Sequence, residues 1–218
     1  MTKLYHRAII KLAHFTGKMV TEKGGEKMSD NQETKKIGAR QFRTGNLIPH
    51  GGYVSNEDYG QILDNTVVAY VNCFLVTQGA KPTKILVVKR TMEPWLDWWI
   101  PGGRINPGES FEETAIRNLK RQLSLAIDDR SRFRQLGTYA FIWARRAHPP
   151  TENGCHIVSI TLVLKVSDEE ARAIRLNEEH CDLSWVRPDI VVIQTGLHPG
   201  LAQCIRDLID FLEIKKSG

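Results

Sequence analysis

Residues 101–125, PGGRINPGESFEETAIRNLKRQLSL, decide how the rest of the chain is read. The run Trp98, Trp99 and Ile100 enters Pro101-Gly102-Gly103, where the missing side chains let the backbone come close to a ligand or to another strand. Ser110-x-x-Glu113 has the spacing of a capping box and predicts a helix from there to about Leu125. Phe111, Ala115, Leu119 and Leu123 recur at steps of four and form its apolar face. Positions 118, 121 and 122 share one face at i, i+3, i+4 spacing and carry Asn118, Arg121 and Gln122.

Working outward, Ser55-Asn56-Glu57-Asp58 predicts a helix start, with an N-cap and acids in the first turn before Tyr59, Ile62 and Leu63. Thr66 to Thr77 is β-branched and apolar and reads as a buried strand; Lys84 to Arg90 reads as the next. Beyond the central helix, Leu136 to Trp143 and His156 to Val166 are expected strands, Asp168 to Ile174 a short helix and Leu183 to Val186 a short strand. Leu201 to Ile214 reads as a closing amphipathic helix, packing on the body or on a second subunit as a homodimer. Trp95-Leu96-Asp97-Trp98-Trp99 reads as an exposed stretch able to stack on a base or to pack in the core. The mixture implies an α/β sandwich without an internal repeat or second domain.

A chain of 218 residues with 41% hydrophobic and 25% charged residues is an ordinary globular composition. No apolar run of membrane-spanning length exists, and a cytoplasmic protein is expected. Cys73, Cys155, Cys181 and Cys204 form no CxxC pair, which argues against a zinc site or a disulfide framework. The net charge of +5 is concentrated at the start: residues 1–27 hold six basic and two acidic side chains, leaving +1 for the rest. A nucleic-acid-binding surface is therefore not expected.

Leu4, Tyr5, Ala8, Ile9, Leu12 and Phe15 fall on one helical face, so residues 1–27 could form a basic amphipathic helix. A different reading is preferred. Lys23-Gly24-Gly25-Glu26-Lys27-Met28 can be encoded as AAA GGA GGT GAA AAA ATG, a bacterial ribosome-binding sequence placed before a start codon. On that reading Met28 is the start, residues 1–27 are translated leader, 28–50 form a flexible lead-in and 51–218 the domain.

The stretch from Gly103 to Leu125 resembles the Nudix signature G-x5-E-x7-R-E-U-x-E-E-x-G-U, where U is a bulky aliphatic. Gly103, Glu109, Arg117, Leu119 and Leu125 match at the correct spacing. The resemblance implies a Nudix fold, an α/β/α sandwich around a central mixed β-sheet. It also implies that Glu109 and Arg117 stabilise the loop–helix geometry, and it shows where this chain departs: the box glutamates would stand at Asn118, Arg121 and Gln122. Magnesium prefers hard, usually anionic oxygen ligands, and a guanidinium is permanently charged with no acceptor, so a cluster of several Mg²⁺ ions does not suit this helix.

From about Ser55 to Val186 the chain is similar to GDP-mannose mannosyl hydrolases, whose boxes are depleted in the same way. The resemblance rests on Glu57-Asp58-Tyr59, Lys89-Arg90-Thr91, Pro101-Gly102-Gly103-Arg104 and Asn177 to Trp185. Carried over by position, it implies one Mg²⁺ (or Mn²⁺) held by the Gly102 carbonyl, Gln122 and Glu179, with Gln and Glu exchanged relative to the family. It also implies His180 as the base and Arg90 and Arg104 as the groups that stabilise a departing diphosphate. An imidazole that titrates near neutrality suits such a base. The family's sugar contacts fall on Asn72 and Ile157, where the family has Asp and Tyr; losing those groups weakens sugar recognition.

Three functions follow. The favoured one is hydrolysis of a nucleotide sugar at the sugar C1–O bond, releasing nucleoside diphosphate and free sugar. The second is cleavage at phosphorus, and the third is a catalytically silent module that binds a nucleotide or a partner protein.

Overall fold

In a computed structural model the described residues are 38–49, 54–79, 82–193 and 196–213. The leader reading of residues 1–27 lies outside them, as does Ile214, the expected end of the closing helix. Among the described residues no helix is long and apolar enough to cross a membrane.

Strand β1 (Val68–Thr77) lies at the centre of the sheet. It runs parallel to β6 (Cys155–Val166), from Val68 opposite Ile157 to Thr77 opposite Val166. Its other edge pairs antiparallel with β2 (Ile85–Arg90) and with the short β4 (Gly102–Arg104). β2 in turn carries β3 (Trp98–Trp99) and β7 (His180–Val186), and β5 (Phe133–Trp143) closes the far side on β6. The sheet is mixed, as expected.

Helices cover both faces, which is why β1 is apolar at nearly every position. Val71, Cys73 and Leu75 join the core under α2 (Phe111–Leu123), with Ala115, Leu119 and Leu123 from the helix. The alternate residues Phe74 and Val76 face the other core with α5 (Pro199–Phe211), Trp99, Phe141 and Trp143. Ser110 caps α2 as its spacing predicted: its hydroxyl accepts from Glu113 N at 3.1 Å, and the Glu113 carboxylate accepts from Ser110 N at 2.6 Å.

The structure corrects some sequence expectations. After β6 the helix α3 (Asp168–Ala173) falls where a short helix was expected, whereas β3, β4 and the helical turn α4 (Pro188–Val191) were not anticipated. β5 begins at Phe133 rather than Leu136, and β7 begins at His180 rather than Leu183. Of the two alternatives for the tryptophan-rich stretch, Trp99 takes core packing: it is buried and packs edge-on against Phe141 and Trp143. Residues 38–49 have no regular structure, yet Gln41 and Arg43 donate to the carbonyls of Glu109 and Gly108.

Candidate active site

The loop before α2 is held from both ends. Glu109 accepts from Arg117 through both carboxylate oxygens, at 2.6 and 2.7 Å, and from Asn106 N and the Thr114 hydroxyl at 3.0 Å. Those bonds, the one to Arg117 foremost, hold its carboxyl down at about 2. Arg117 also donates to the Arg104 carbonyl at 2.8 Å. Glu109 and Arg117 therefore brace the loop against α2. Gly103 is pressed against α2 so closely that a Cβ there would lie 2.7 Å from Asn118 Oδ1. A side chain here would have to displace the buried Asn118 carboxamide.

Beside that loop a cavity of about 590 Å³ opens, a volume suited to a nucleotide-sized ligand. Arg90, Arg104, Arg121 and Arg146 line it, and Trp99, Phe141 and Trp143 form an aromatic wall. Arg104 lies over the Tyr59 ring at 4.8 Å, supplied by α1 (Asn56–Asn65), whose N-cap is Ser55. Arg90 donates to the Glu93 carbonyl at 3.1 Å; burial lowers its pKa. Among the described residues, neither Arg90 nor Arg104 is within ion-pair distance of a carboxylate.

The sequence-derived site residues line this cavity, apart from Glu109, which braces the loop beside it. Asn72 and Ile157 are buried and line the cavity on adjacent strands, and Asn72 faces Gly102 across the β1–β4 pair. His180 opens β7 opposite Arg90, where the β2–β7 ladder is irregular. It is 8% exposed, and its Nδ1 lies 3.4 Å from Asn177 Oδ1. Burial, then Arg90 and Arg121, push its pKa down to about 4. This corrects the expectation of a base titrating near neutrality: His180 is neutral at pH 7 with a wide margin.

Gly102, Gln122 and Glu179 converge as the metal reading required, but they are bonded to one another. Gly102 N donates to Gln122 Oε1 at 3.0 Å, and Gln122 Nε2 donates to the Gly102 carbonyl at 2.8 Å and to Glu179 Oε2 at 3.0 Å. The other Glu179 oxygen is ion-paired with Arg121. Among the described residues, no group of three His, Cys, Asp or Glu side chains is placed to hold a metal. With an amide N–H₂ between the two oxygens and a guanidinium on the carboxylate, this donor set does not fit a divalent cation.

Sequence reasoning missed Arg146. It is 1% exposed and donates to Asp64 at 2.6 Å and to the carbonyls of His148, Pro149 and Gly154. It fastens the loop after β5 to α1 and so shapes one wall of the cavity. The only local signal was a basic pair, Arg145-Arg146, just past a strand.

Comparison with known proteins agrees with the fold. The NUDIX domain model matches residues 67–208, and the chain belongs to that family. It is similar to the ADP-ribose pyrophosphatase of Methanocaldococcus jannaschii, 31% identical over 94 residues, covering 43% of this chain and 50% of that protein. The chain thus matches about half the length of this curated relative. Among solved structures, the NUDIX domain of Shewanella oneidensis NrtR complexed with ADP ribose superposes with a TM-score of 0.52 at 22% identity, over 68% of this chain and 90% of that one. A MutT NUDIX hydrolase from Burkholderia pseudomallei gives 0.51 at 22% identity, over 66% and 99%. At these identities the two structures speak for the fold alone.

Proposed function

We propose that this protein hydrolyses a nucleoside diphosphate joined to a sugar, at the sugar C1–O bond. The observation that carries this reading is the convergence in one cavity of Arg90, Arg104 and Arg121 with a buried, neutral His180 and an aromatic wall. The arginines offer planar, charge-assisted donors to a diphosphate. Trp99, Phe141 and Trp143 offer aromatic surface to a base or sugar. The name of the similar ADP-ribose pyrophosphatase points to the same ligand class.

The bond is chosen by what the chain supplies. Attack of water at phosphorus asks for a strong Lewis acid to activate water and neutralise charge. Departure of an intact diphosphate from C1 needs stabilisation of that leaving group, which Arg90 and Arg104 provide, and a proton acceptor for water, which neutral His180 provides. No acid is then required for the leaving group.

A second reading is a binding module without turnover. It is favoured by the pKa of about 4 at His180, which makes a weak base, and by the engagement of Glu179 with Arg121 and Gln122.

The test is to incubate the protein with a panel of nucleotide sugars and identify products by ³¹P NMR. Nucleoside diphosphate and free sugar support the first reading. Ligand shifts without products support the second, and nucleoside monophosphate with sugar phosphate refutes the choice of bond.

A further inference from the structure

The three positions that should carry metal-binding carboxylates on α2 instead present N–H groups. Asn118 is 1% exposed; its Oδ1 accepts from Arg117 at 3.2 Å, and its Nδ2 is buried with no hydrogen-bond partner among the described residues. Arg121 places its guanidinium on Glu179. Gln122 has its amide orientation fixed by Gly102, which offers one donor and one acceptor to the matching ends of the carboxamide. Turning that amide over would set N–H₂ against the Gly102 N–H and oxygen against two acceptor oxygens, losing three hydrogen bonds at once.

The charges agree with the geometry. Glu179 contributes −1 and Arg121 +1, so the group offers no net negative charge to a cation. Beyond that pair, Arg117 lowers the pKa of Arg121 after desolvation, while Glu178 acts in the opposite direction. All of these residues line the same cavity as Arg90 and Arg104.

We propose that Asn118, Arg121 and Gln122 turn an acceptor site for a divalent cation into a donor site, so that the protein binds its diphosphate ligand without a metal. The Gln122 amide group sits between the Gly102 carbonyl and Glu179 Oε2, joining the oxygens that a cation would join. The Arg121 guanidinium neutralises Glu179, so the carboxylate offers no uncompensated charge to a cation. The phosphate side of this proposal rests on the nucleoside-diphosphate reading above; the exclusion of the metal does not.

The two are separated by a readout that needs no nucleotide. Mn²⁺ is titrated into the full chain, its Arg121→Gln/Gln122→Glu variant and its Glu179→Gln variant, and the free ion is followed by electron paramagnetic resonance. The wild type is expected to leave the free-ion signal as it is in buffer. The double variant takes the charge of this group from 0 to −2 and is expected to bind Mn²⁺ roughly tenfold more tightly or better, since ligand charge sets affinity at such sites. Wild-type binding that is lost in Glu179→Gln overturns the proposal. So does a double variant with native circular dichroism that binds no better than wild type. Should the double variant not fold, Gln122→Glu alone is titrated and the same two results decide.

Discussion

The burial of His180 has a measurable cost in acid. In the unfolded chain its imidazole takes up a proton near the ordinary value of 6.5, while in the fold it resists until about 4. The unfolded state therefore gains by protonation first, and stability that is fully present above pH 6.5 is lost as the pH falls toward 4. At 1.36 kcal/mol per pH unit, this amounts to about 3 kcal/mol in all and about 2 kcal/mol by pH 5. Urea unfolding of wild type and His180→Asn at pH 7, 6 and 5 isolates the effect. His148 and His198 are also lowered by burial and contribute in the same direction, so the quantity of interest is the difference between the two proteins. The variant should lose about 2 kcal/mol less than wild type between pH 7 and pH 5. Equal losses in the two would mean that His180 is solvated, and the description of it as a buried neutral group would fail. If the protein turns over substrate, the same displacement puts the acid limb of kcat/KM near pH 4 rather than 6.5, to be read from a pH–rate profile.

Other consequences follow from the same geometry. Arg146→Met strips the donor from three carbonyls and Asp64, and is expected to cost about 3 kcal/mol in urea unfolding. Gly103→Ala forces a Cβ against buried Asn118 and should destabilise by about 1–3 kcal/mol, whereas Gly45→Ala meets no atom within 4 Å and differs only by its positive φ. Arg90→Ala and Arg104→Ala should each weaken nucleotide-sugar binding by roughly tenfold in calorimetry, the scale of losing a charge-assisted hydrogen bond. Unchanged affinity in both would place the diphosphate elsewhere.

What the sequence made legible was local. The capping box at Ser110 and Glu113, the four-residue steps of α2 and the paired Gly102-Gly103 lie within one short stretch, and each bears its reason in neighbouring residues. β3 and β4, of two and three residues, are too short to carry a period, and they exist because β2 and β1 offer them an edge. His180 read as a loop residue because its strand pairing with Arg90 spans the chain. The site residues carried over by resemblance did converge, but their relations were not readable. Gln122 and Glu179 stand 57 residues apart, and nothing local says that the amide would satisfy both Gly102 and the carboxylate. Arg146 was invisible for the same reason, since its partner Asp64 lies 82 residues away.

The most direct test is calorimetric titration of ADP-ribose and a panel of nucleotide sugars into the protein, once in EDTA and once in excess Mg²⁺. At least one of these ligands is expected to bind with the same affinity in both conditions. Binding that appears only with Mg²⁺, or no binding of any nucleotide sugar in either condition, would contradict it.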